Sequence, residues 1–80
     1  MMERWKKIEA VSIDGSMDSQ DAAHDINCIA CCSGFTYAKN ESELSTFKRF
    51  FEKQIALYSK SIRDGLQLVI TDVDSSDVVR

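Results

Sequence analysis

Proline is missing from this 80-residue sequence, and glycine occurs only three times. Because both residues interrupt regular structure, their scarcity predicts a chain that is mostly helix and strand with few turns. Long apolar runs are missing too, since nothing approaches the roughly 20 residues of a membrane span. The first seven residues open no apolar run, so we expect no signal peptide. These absences indicate one small globular domain over residues 1–80, with a C-terminal end at 74–80 that we expect to be flexible.

Cysteine is also scarce, and its three copies are crowded at Cys28, Cys31 and Cys32. An odd, clustered set is not the disulfide framework of a secreted protein, so we expect reduced thiols in the cytosol. The simplest interpretation of all three is that they are small buried apolar residues.

A metal or redox role for this cluster has weak support. His24 and the three cysteines lie within nine residues, and on a helix they would share one face, which cannot surround an ion. The Cys28–Cys31 spacing matches a dithiol motif, but acidic neighbours would raise a thiol pKa. We therefore expect no metal, no cofactor and no enzymatic activity. A zinc site completed by a second chain is a remaining alternative.

Charge is modest overall, at −3, but it is unevenly distributed. Residues 14–32 carry four acids and no base, and residues 66–79 carry three acids and no base. Residues 46–63 reverse this balance, with five bases against Glu52. The pattern predicts an electrically bipolar domain with a basic helix face.

The clearest element is an amphipathic helix over residues 41–64. Asn40 with Glu43 has the form of a capping box, and Asp64-Gly65 supplies a stop. One stripe faces the core, and it is formed by Leu44, Phe47, Phe51, Ile55, Tyr58 and Ile62. Phe50 and Leu57 lie beyond this stripe with Gln54 between, widening the apolar sector to roughly 160°. A single rod of this length, about 36 Å, would extend past a small sheet.

Strands are predicted on both sides of this helix. Leu66–Val73 is rich in β-branched residues, and Trp5–Ile13 has weaker alternation before the turn Asp14-Gly15. The segment 25–38 has two interpretations. We favour a buried strand broken at Ser33-Gly34; its rival is a helix over 19–32 that is capped by Asp18.

The fold predicted from these elements is α+β. A small three-stranded, mainly antiparallel sheet packs against one long amphipathic helix, in the order β-β-α-β. The alternative order inserts a short helix between residues 18 and 32.

Two functional hypotheses follow. The first is a small cytosolic protein-binding module, a regulator or inhibitor that occludes a partner's surface, a class common among phage and mobile-element products. Its candidate contact residues are Phe50, Leu57, Gln54, Trp5, Asp14, Asp18 and Asp21. The helix flank could also form a homodimer, and for Trp5 a place in the core is the competing interpretation.

The second hypothesis is a nucleic-acid-associated protein. Its candidate residues are the bases of the helix, Lys48, Arg49, Lys53, Lys60 and Arg63. An acidic protein with a pI near 5.0 is atypical of phosphate binders, so this hypothesis ranks second.

Overall fold

The computed structural model describes residues 4–74 and 76 and shows an α+β fold. Its elements in chain order are β1 (Arg4–Ser12), α1 (Met17–Cys32), β2 (Tyr37–Ala38), α2 (Glu41–Ala56), α3 (Lys60–Asp64) and β3 (Leu66–Asp74). The predicted class and the three-stranded antiparallel sheet are confirmed. Of the predicted flexible end, only Asp74 and residue 76 lie within the described residues, and Asp74 belongs to β3.

The sheet has the strand order β2-β1-β3, with β1 in the centre. Strand β1 pairs with β3 along its whole length, from Arg4 opposite Asp74 to Ser12 opposite Leu66. Its pairing with β2 covers only two residues. Both long strands match their predicted bounds to within one residue, because β-branched residues and flanking turn signals marked them clearly.

The core lies between one face of this sheet and the helices. Ile8 and Ala10 of β1 point into it together with Leu66 of β3. Phe51 of α2 and Ile26 of α1 are completely buried against them. None of the helices in the described ranges has the length and apolarity needed to cross a bilayer.

The strand favoured for residues 25–38 is wrong, and only Tyr37–Ala38 is extended within it. The rival helix is present, and it begins at Met17 instead of Ser19 because Ser16 caps it: the Ser16 hydroxyl accepts a hydrogen bond from the Ser19 N–H at 3.2 Å. Its buried residues recur every three or four positions, as one side of a helix requires, and are Ser19, Ala22, Ala23, Ile26 and Ala30.

The single rod over residues 41–64 is also wrong. Asn40 caps α2 as predicted, accepting from the Glu43 N–H at 2.9 Å, but the helix ends at Ala56. Residues 57 and 58 donate to carbonyls three residues back, which tightens the last turn, and Ser59 is extended. Beyond the break, Ile62 of α3 is partly buried against the core.

Candidate functional site

The long strand β3 has a strand neighbour on one side only, among the described residues. The Ile13 N–H donates to the Gly65 carbonyl at 2.8 Å, and these residues stand opposite each other where the β1–β3 register continues. In an antiparallel ladder the hydrogen-bonded pairs alternate, so odd-numbered residues of β3 bond to β1. The backbone groups of the even-numbered residues therefore point away from the sheet. We call these groups the outer edge of β3; they belong to Leu66, Leu68, Ile70, Asp72 and Asp74.

The side chains of β3 give this edge little of the protection that exposed strands usually carry. The strand reads LQLVITDVD, with neither lysine nor proline, and its only charges are at Asp72 and Asp74. Ile70 lies in the middle of the edge with 41% of its surface exposed. An extended, apolar strand of this kind is a template for pairing with another chain.

On the side of β1 that faces away from β3, the backbone groups of Ile8 and Ala10 have partners. Strand β2 covers part of β1, and the Ile8 N–H donates to the Thr36 carbonyl at 2.9 Å. Beyond β2, the Asn27 side chain takes the place of a strand. It accepts from the Ala10 N–H at 2.8 Å and donates to the Ala10 carbonyl at 2.9 Å. Strand β3 differs from β1 in this respect, because among residues 4–74 and 76 it has a strand neighbour on one side only.

Ion pairs lie at both ends of β3. At its C-terminal end Lys6 bonds to Asp72, and Arg4 lies 3.6 Å from Asp74. The hydrogen bond and the positive charge of Lys6 lower the pKa of Asp72. At the N-terminal end, α3 contributes Lys60, which bonds to Asp64 at 3.0 Å, and an exposed Arg63. Arg63 has no carboxylate within 4.0 Å in the described part of the chain.

The predicted helix flank is divided by the break after Ala56. The ring of Phe50 is half-buried, with its centroid 4.7 Å from that of Phe35. Gln54 is half-buried, and Leu57 in the turn is 79% exposed. One continuous docking face on one helix is therefore not present, because Phe50 joins the core and Leu57 alone projects outward. A partner contact at Leu57 stays a prediction.

Trp5 and the predicted acids occupy different parts of the molecule. Trp5 is only 6% exposed, and the Lys39 ammonium lies 5.4 Å from its ring centroid, so it is not an accessible contact residue here. Asp18 and Asp21 are exposed on α1. Their role in partner binding stays a prediction.

Asp14 has a structural position that the sequence did not reveal. Its carboxylate accepts from the Ser19 hydroxyl at 2.6 Å and from the Ser16 N–H at 2.9 Å. These bonds, with that of Ser19 the strongest, lower the pKa of Asp14 from 3.8 to about 2. The carboxylate also lies against Gly65, where a Cβ would come within 2.7 Å of its Cγ.

The five predicted bases are all exposed on α2 and α3. Lys60 is engaged with Asp64. The other four have no carboxylate within 4.0 Å among residues 4–74 and 76; they are Lys48, Arg49, Lys53 and Arg63.

The three cysteines are exposed, so the prediction that they are buried is wrong. Because α1 is a helix and buries its alanine and isoleucine side, the thiols lie on its outer side. Cys28 Sγ lies 3.7 Å from His24 Nε2. The described residues contain no group of three or more His, Cys, Asp or Glu side chains that could hold a metal ion.

Sequence reasoning missed the two residues that distinguish the edges. Asn27 is a polar residue between Ile26 and Cys28, and an amide beside a buried helix side was the available signal. Ile70 belonged to a correctly predicted strand, but strand order decides which strand is at the edge.

No protein-family model matches the chain, and no curated protein or solved structure matches it either.

Proposed function

We propose that this chain is a small cytosolic protein-binding module that pairs an extended segment of a partner protein with the outer edge of β3. One observation carries the proposal. Five alternate residues of a nine-residue strand present their backbone groups along this edge, around the exposed Ile70, without a lysine or proline to block pairing. Strand addition of this kind is a recurring mode of peptide recognition.

Main-chain bonds supply most of the affinity in this mode. Each contributes a net ~0.5–1.5 kcal/mol, and an added strand forms several of them. Covering a fully exposed isoleucine contributes about 1.5–3 kcal/mol, and Ile70 is already more than half covered. The side chains that alternate on the added strand then determine which segment is preferred.

A regulatory or inhibitory role follows from this geometry. A segment that is held as an extra strand cannot make its other contacts, so the module acts by occluding it. The role requires no catalytic group on this chain.

Variants of matched chemistry test the proposal. Ile70→Lys places a charge on the edge, and Ile13→Lys places the same charge at another exposed isoleucine, which is 56% exposed and outside the strand. After affinity capture with chemical cross-linking, proteins held by the parent and by Ile13→Lys should be lost from Ile70→Lys. Retention of the same proteins by folded Ile70→Lys would contradict strand addition.

A nucleic-acid role is a second candidate, because four exposed bases of α2 and α3 have no carboxylate within 4.0 Å among the described residues. If these bases bind phosphates, DNA or RNA retention by the parent should fall steeply with salt. Lys53→Glu with Arg63→Glu should then abolish retention. Retention that is unaffected by salt and by these substitutions excludes this candidate.

A further inference from the structure

We infer that His24 and Cys28, on the outer side of α1, together bind a thiophilic divalent cation of the zinc class. The two residues are four positions apart, which places their side chains one above the other on the same side of the helix. Cys28 Sγ lies 3.7 Å from His24 Nε2 and 3.9 Å from His24 Nδ1. Helix α1 contributes no residue to the outer edge of β3, so this inference is independent of the proposed function.

The separation of the sulfur and the nitrogen suits one shared ion. Zinc binds a thiolate at about 2.3 Å and an imidazole nitrogen at about 2.0–2.1 Å, and in tetrahedral geometry these bonds place the two ligand atoms about 3.5–3.6 Å apart. The 3.7 Å between Cys28 Sγ and His24 Nε2 is close to this value. Both side chains are exposed, so rotation about their own bonds can aim the sulfur and the ring lone pair at the same ion.

Asp25 lies where a metal-binding imidazole usually has its outer support. One oxygen of its carboxylate is 3.9 Å from His24 Nδ1, and Nε2 is the ring nitrogen nearer to Cys28. A ligating histidine commonly donates the N–H of its other ring nitrogen to a carboxylate, which fixes the ring and makes it a stronger ligand. A small rotation of the exposed Asp25 side chain brings the carboxylate to hydrogen-bond distance. The three side chains therefore lie in the order carboxylate, imidazole, thiol.

The charge of this side of α1 also favours a cation. Residues 14–32 carry four acids and no base, and Asp18, Asp21 and Asp25 are exposed on the helix. Their negative potential attracts a divalent cation. When the ion binds, the S–H bond of Cys28 breaks, the sulfur keeps the electron pair and bonds to the metal, and the proton passes to solvent. The step transfers no electron, so it needs neither an oxidant nor a reductant.

One chain supplies only part of the coordination of such an ion. Cys31 and Cys32 lie about 10–12 Å along the helix axis from His24, beyond the reach of an ion that His24 and Cys28 share. Residues 4–74 and 76 contain no group of three or more potential ligands. Water fills the other positions of the ion, whereas structural zinc sites are closed by four protein ligands. We therefore expect an ion that exchanges readily and a domain that folds without it.

A cobalt(II) titration tests the site, because cobalt(II) replaces zinc and its bond to a thiolate gives a charge-transfer absorption band. The full chain is kept reduced with a phosphine, which adds no competing thiol. The parent should bind one cobalt ion per chain with this band, and added zinc should remove the band. Cys28→Ser should abolish the band, and His24→Ala should weaken cobalt binding by about tenfold or more. Circular dichroism should be unchanged in both variants, since both residues are exposed.

The matched control combines Cys31→Ser with Cys32→Ser, which removes two exposed thiols from the same helix and leaves the pair intact. This variant should keep both the band and the affinity. Loss of the band in the control, or a band that persists in Cys28→Ser, would overturn the inference, because other thiols would then hold the ion. Unchanged affinity in His24→Ala, or a parent that shows no band anywhere in the titration, would overturn it as well.

Nitrogen-15 NMR of the zinc-bound protein tests Asp25 as a positioning residue. In the parent, His24 should bind zinc through Nε2 and carry its proton on Nδ1. Asp25→Ala should weaken zinc binding and lose this preference for Nε2. Asp21→Ala is the control, since it removes the same charge from an exposed position that has no ion pair with His24 among the described residues. An Nε2 preference that is the same in the parent and in both variants would contradict the role of Asp25.

Discussion

The exposed carboxylate of Asp14 contacts residues at the ends of several elements. It lies two residues after the end of β1 and accepts hydrogen bonds from Ser16 and Ser19 at the start of α1. It also lies against Gly65, the residue before β3. One side chain thus joins the ends of three elements.

The pH dependence of stability tests this arrangement. Since folding lowers the pKa of Asp14 from 3.8 to about 2, its contribution is fully present above pH 3.8 and is lost as the pH falls toward 2. In urea unfolding, the parent should exceed Asp14→Ala in stability at pH 6. This difference should shrink below pH 4 and nearly vanish at pH 2. A difference that stays constant over this range would contradict the assigned role.

Gly65→Ala tests the contact between Asp14 and the α3–β3 junction. The backbone of Gly65, with φ at −90°, suits alanine, but the added Cβ would collide with the tethered Asp14 carboxylate. We expect a loss of about 1–3 kcal/mol in the free energy of unfolding. In the Asp14→Ala background the same substitution should cost clearly less, because the colliding group is gone. Equal costs in both backgrounds would show that the collision is not the cause.

The contacts and burial of individual residues were harder to predict from the sequence than the helices and strands. Asp14 was interpreted as a loop acid available to a partner, because nothing local shows that Gly65 folds back against it. The cysteines were placed in the core because their type is usually buried, but the helix period puts them opposite the alanines. Long-range packing decided both cases.

At the scale of elements, the Asn27 side chain makes the two backbone hydrogen bonds with β1 that a longer β2 would make. Its amide bonds to both backbone groups of Ala10, which is 2% exposed. Strand β2 pairs with β1 over only two residues, and the Asn27 side chain of α1 bonds to the backbone of β1 beyond them.

Asn27→Ala should leave two covered backbone groups of β1 without partners. We expect a loss of about 1–3 kcal/mol in chemical denaturation, the usual penalty for such groups. The control is Gln20→Ala on the same helix, which removes only an exposed bond to the Gly15 carbonyl and should cost well under 1 kcal/mol. Similar costs for the two variants would contradict the edge-closing role.

Elements with local start and stop signals were predicted well. Asn40 capped its helix as expected, and Gly65 separated α3 from β3. The break at residues 57–59 was missed because the apolar period continues through it, with Tyr58 and Ile62 still facing the core. Helix α1 was missed in favour of a strand because apolar runs of this kind fit either period, and tertiary packing decided between them.

At the scale of the whole molecule, the central strand β1 has backbone partners on both sides, whereas β3 has a strand neighbour on one side only among the described residues. Strand β2 and Asn27 cover the other side of β1 at residues 6–10, whereas no described residue pairs with the outer edge of β3 around Ile70. The strand itself was predictable from its residues. Its place at the edge was not, because strand order depends on how α1 and the short β2 occupy the other side.

Amide hydrogen exchange along β3, followed by NMR, tests the open edge most directly. In dilute protein the amides of Leu68 and Ile70 should exchange quickly, while those of Val69 and Thr71, bonded to β1, exchange slowly. Uniform slow exchange along β3 in dilute protein would contradict the account.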